Sequence, residues 1–69
     1  MHPHNQDTQA CLEQLRTALE ANGITLPSLG IDLPTYASAL PTPPLIALGN
    51  CNHATARALT AALRKAAGA

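Results

Sequence analysis

The chain has 69 residues, 46% of them hydrophobic, and four Lys/Arg balance four Asp/Glu to give zero net charge. That length holds one small domain, which buries only about 60% of its unfolded surface. No apolar run reaches the ~20 residues of a membrane-spanning helix, and a neutral chain lacks the basic excess of a dedicated nucleic-acid binder.

Tyr36 is the single aromatic residue, and Phe, Trp and Val are absent. A core must therefore be assembled from Leu, Ile and Ala, a set that favours helix over extensive sheet. A core this light calls for reinforcement, by a disulfide, a metal or a second chain. The abundance of Ala, and of Arg over Lys, fits a GC-rich bacterial genome.

Residues 1–6 are polar, with His2, Pro3 and His4 and without the basic and apolar regions of a secretion signal. They are read as a flexible lead to a single domain over 7–69, and the protein is expected in the cytoplasm. A first helix is expected from Asp7 or Thr8 to Asn22, with Asp7 as cap and Asn22-Gly23 as stop. Leu12, Leu15 and Leu19 form its apolar stripe, flanked by Thr8, Cys11 and Ala18. Glu13, Arg16 and Glu20 sit on the other side at ion-pair spacing.

The centre, 24–48, holds five of the six prolines and cannot be one long helix. It is nevertheless too apolar for a solvated linker. Leu29, Ile31 and Leu33 alternate with Gly30 and Asp32 at strand period, and 45–48 reads as a second strand closed by Gly49. Between them, Asp32 is placed to cap a short helical turn from Pro34 to Ala39, which includes Tyr36. Leu40 and Pro41 then lead towards the second strand. A last helix is expected over 51–67, capped by Asn50 or Asn52, with Leu59 and Leu63 on one face and Arg57, Arg64 and Lys65 elsewhere.

The expected fold is therefore α+β and predominantly helical, with two amphipathic helices flanking a short two-stranded hairpin. The alternative is an all-α arrangement of two or three helices with an extended Pro-rich arm. A hairpin would set the two long helices antiparallel. Cys11 and Cys51 would then lie at opposite ends, well beyond the ~7 Å Cα separation a disulfide tolerates.

The core or interface is assigned to Leu12, Leu15, Leu19, Leu29, Ile31, Leu33, Tyr36, Leu45, Leu48, Leu59 and Leu63. Acidic residues (Asp7, Glu13, Glu20, Asp32) are confined to the first half, where Arg16 is the lone base; Arg57, Arg64 and Lys65 stand unopposed in the second. The pattern points to a homodimer, since marginal stability and two amphipathic helices both ask for a partner surface.

Chemistry-bearing motifs are sparse. Cys51 and His53 lie two apart near a helix start, where their side chains diverge, and no second Cys/His pair completes zinc-like spacing. No catalytic residue, metal site or cofactor is assigned. The expected function is a small non-catalytic protein-interaction or regulatory module, homodimeric and with a further protein partner. Two alternatives are a small DNA-associated regulator using Arg57, Arg64 and Lys65, and a metal- or redox-responsive protein using Cys11, Cys51 and His53.

Overall fold

The computed structural model describes residues 3–37 and 43–68. In chain order it contains α1 (Pro3–Ala21), β1 (Gly30–Ile31), α2 (Leu33–Tyr36), β2 (Ile46–Ala47) and α3 (His53–Ala66). This is the expected predominantly helical α+β order. The expected positions of His2, Ala39, Leu40 and Pro41 lie outside the described residues.

α1 begins at Pro3, so Asp7 lies inside the helix and is not its cap. Proline suits a first turn because its missing N–H would have had no intrahelical acceptor there. The helix ends where Asn22-Gly23 stops it. Gly23 takes φ +70°, its N–H reaches Glu20 O at 2.9 Å, and the Ile24 N–H reaches Leu19 O at 2.9 Å. This pair of bonds is a Schellman closure, which brings the residue after the glycine back onto the last turn. Ile24 and Leu19 are accordingly both buried, Ile24 at 2% exposure. Asn22 Nδ2 also donates to Ala18 O at 2.9 Å, satisfying another terminal carbonyl.

The hairpin pairs Gly30 with Ala47 and Ile31 with Ile46, antiparallel. The Asp32 N–H donates to Leu45 O at 2.8 Å and ends the ladder. Each strand has two residues, shorter than the expected 29–33 and 45–48. The reason is local. Asp32 turns to cap α2, its Oδ2 accepting from the Thr35 N–H at 3.2 Å, while Pro34 and Pro44 offer no N–H to a longer ladder. Thr35 then ties the pieces together: its hydroxyl bonds Asp32, and its Oγ1 accepts the Leu45 N–H at 2.8 Å.

The core lies between α1 and the segment that enters β1. Leu12, Leu19, Ile24 and Thr8 are its buried members, and α1 packs against β1. Arg16 clamps the same junction, donating to Leu29 O at 3.4 Å while pairing with Glu13 at 3.0 Å.

α3 departs from expectation. It is well formed, with Asn52 as cap (Oδ1 to the Thr55 N–H, 2.8 Å) and Gly68 in the left-handed conformation beyond its end. Yet no residue of α3 is buried, and it makes no extended contact with any other element. The two long helices do not close over the centre. Two-residue strands already faced by α1 provide too little further surface to receive a second helix, and α3 offers only two leucines among alanines. The chain is correspondingly long, 42 × 23 × 16 Å, with a radius of gyration of 14.1 Å, where about 11 Å is usual for this length.

Candidate interaction surface

The residues assigned to core or interface separate into three groups. Leu12 and Leu19 are buried; Leu15, Leu29, Ile31 and Leu59 are half-buried. Leu33, Tyr36, Leu45, Leu48 and Leu63 are exposed, Leu33 at 74% and Leu63 at 61%. Within one chain the last five are surface residues, which leaves the interface half of that assignment for them. The physical reason is that α2 is a single turn and α3 stands apart, leaving no layer to cover them. Thr8 and Ile24 are buried without having been assigned to the core. The signal for Ile24 is present in Asn22-Gly23-Ile24, because a Schellman stop folds the residue after the glycine inward.

Large apolar side chains in water are the main feature of this surface. The total accessible area is 5286 Å² for 7.1 kDa. Monomeric proteins of that mass expose about 4,100 Å², and the larger value goes with the elongated shape of the chain as a whole. α3 contributes a continuous apolar side, with Leu59 half-buried, Leu63 exposed, and Ala56 and Ala66 on the same side. Arg57 and Arg64 lie about 140–160° round the helix from Leu59, on the outer side. Arg57, Arg64 and Lys65 are exposed. Among the described residues the one ion pair is Arg16–Glu13.

Among the described residues, α1 lines two depressions. An open groove of about 400 Å³ runs along its outer side past Glu13, Gln14, Thr17, Ala18 and Ala21. A tighter pit of about 140 Å³ lies under the Schellman turn, floored by Leu19, Ile24, Leu26 and Leu29, with Arg16 and Glu20 at its rim. Arg16 is already committed to Glu13 and the Leu29 carbonyl, which leaves Glu20 and Thr25 as the remaining polar lining of the pit.

Cys11 and Cys51 are free and exposed. Cys51 precedes the Asn52 cap and lies outside α3, while His53 opens the helix, exposed. Among the described residues no group of three or more His, Cys, Asp or Glu is placed to hold a metal ion, and no helix is long and apolar enough to cross a membrane. No family model, curated protein or solved structure matches the chain.

Proposed function

We propose that this chain is a non-catalytic protein-interaction module of the cytoplasm that works as a homodimer, with α3 as its contact element. One observation carries the reading: a capped, amphipathic helix of 14 residues has no buried residue. Isolated helices of fewer than about 12–15 residues are marginal in water, and most helical stability in proteins comes from packing an apolar face. Covering a leucine contributes about 1.5–3 kcal/mol, so a partner seated on Leu59 and Leu63 would stabilise α3 more than its Asn52 cap, worth about 1 kcal/mol. The exposed Leu33 at the start of α2, with Leu45 and Leu48 on either side of β2, adds apolar surface of the same kind.

Light scattering coupled to size exclusion tests this directly. The natural chain is expected at twice its monomer mass, and Leu63→Asp at the monomer mass. The α1–hairpin junction should survive that change, because Leu63 takes no part in it. Unaltered mass after Leu63→Asp would remove α3 as the contact element.

A further inference from the structure

The turn that gives α1 its core also holds the one Asn-Gly pair of the chain. We infer that Asn22 is a deamidation site, that the Schellman closure guards it while the chain is folded, and that its conversion to aspartate or isoaspartate weakens that closure.

Four asparagines occur, at positions 5, 22, 50 and 52, and Asn22 alone precedes a glycine. Deamidation needs the backbone nitrogen after the asparagine to reach the side-chain carbonyl carbon, and glycine has no Cβ to obstruct that approach. Asn22 is exposed, and no atom beyond the chain neighbours lies within 4 Å of where a Gly23 Cβ would stand. Water and hydroxide therefore reach the pair. The Gly23 nitrogen gives up its proton to hydroxide and bonds to the Asn22 Cγ. The Cγ–Nδ2 bond breaks, and Nδ2 takes a proton from water and leaves as ammonia. A second water opens the cyclic imide at either carbonyl. One cleavage gives aspartate; the other gives isoaspartate, in which the main chain runs through Cγ. The sum is one water consumed and one ammonia released, with no change of oxidation state.

The folded geometry withholds both reactants. The Gly23 N–H is donated to Glu20 O at 2.9 Å, and Asn22 Nδ2 donates to Ala18 O at 2.9 Å. The second bond holds the side-chain amide back along α1. Attack requires both bonds to break. The adjacent Ile24 N–H is bonded to Leu19 O at 2.9 Å and Ile24 is 2% exposed, so opening the turn draws on the core. Conversion in the folded chain is limited to the fraction of molecules in which this turn is open.

Either product closes the turn less well. Aspartate has no Nδ2 donor for Ala18 O, and it sets a negative charge at the negative end of the α1 dipole. Isoaspartate adds one atom to the main chain inside the ring that the Ile24 N–H closes onto Leu19 O. The loss of ammonia makes the change irreversible.

Mass spectrometry of proteolytic fragments from the full chain reads conversion at each asparagine, at one pH and temperature, in buffer and in unfolding guanidinium chloride. Asn22 is expected to convert fastest of the four when unfolded, and about tenfold or more slower when folded. Equal rates in the two states would overturn the guarding role. Faster conversion of another asparagine in the unfolded chain would overturn Asn22 as the site. Hydrogen exchange then reads the closure in Asn22→Asp and in the isoaspartate form separated by chromatography. The Ile24 amide is expected to lose about tenfold of its protection in each. Protection unchanged in either product would overturn the weakening assigned to it.

Discussion

Thr35 and Gly49 show how much of this small fold rests on single side chains, or on the lack of one. Among the described residues, Thr35 is the one that joins the Asp32 cap, α2 and the start of β2 through hydrogen bonds at 2.8–3.2 Å. Thr35→Val keeps the shape and removes the hydroxyl, leaving the Leu45 N–H and Asp32 without it. Urea unfolding is expected to show a loss of about 1–2 kcal/mol, with Thr35→Ser largely restoring stability. Gly49 takes φ +76°, and a Cβ there would overlap the Ser28 Cβ and stand 3.0 Å from its carbonyl oxygen. Gly23 also has positive φ, at +70°, but opens onto free space. Both Gly→Ala changes incur the left-handed backbone penalty of about 1–2 kcal/mol. Gly49→Ala adds a backbone clash, so its unfolding midpoint should fall further than that of Gly23→Ala. Equal losses would mean that the loop yields at Ser28 without cost.

At the scale of elements, α1 and α3 have similar sequence credentials and different fates. α1 has three leucines at helical spacing and a stop that folds Ile24 back onto it, and so it acquires a core. α3 has two leucines among alanines, and the hairpin before it has no broad face to receive them. A helix whose apolar side is covered only in the dimer must lose order on dilution. Far-ultraviolet circular dichroism of the natural chain is expected to lose helix signal as concentration falls through the dissociation range. Leu63→Asp should show the low-signal value at every concentration. A helix signal independent of concentration would show that α3 is stable alone.

The whole molecule has a small core at one end and a large apolar area elsewhere. Among the described residues, the four buried ones lie along α1 and in the turn after it, while Leu33, Leu45, Leu48 and Leu63 face water. For a chain whose folded state is a dimer, stability contains a concentration term, and each tenfold increase in protein adds about 1.4 kcal/mol. The urea midpoint of the natural chain should therefore rise with protein concentration. That of Leu63→Asp should not move.

Local rules make most of the element order legible. Asn22-Gly23 ends α1, Asp32 ahead of Pro34 caps a turn, Asn52 caps α3, and alternation around Ile31 marks a strand, because each acts within a few residues of itself. The same proximity explains the departures. Asp7 reads as a cap because it precedes the leucine stripe, although Pro3 starts the helix a turn earlier. The strands read too long because an apolar period says where side chains would point, not whether prolines and a capping aspartate leave donors for a ladder. Which apolar residues are buried is legible only where a local stop acts, as at Ile24 after Asn22-Gly23. Leu15 and Leu63 have the same helical periodicity, and only the packing of α1 against the hairpin, with no extended contact made by α3, places one at the junction and the other in water. Burial belongs to pairs of surfaces, and a single chain's sequence describes one surface at a time.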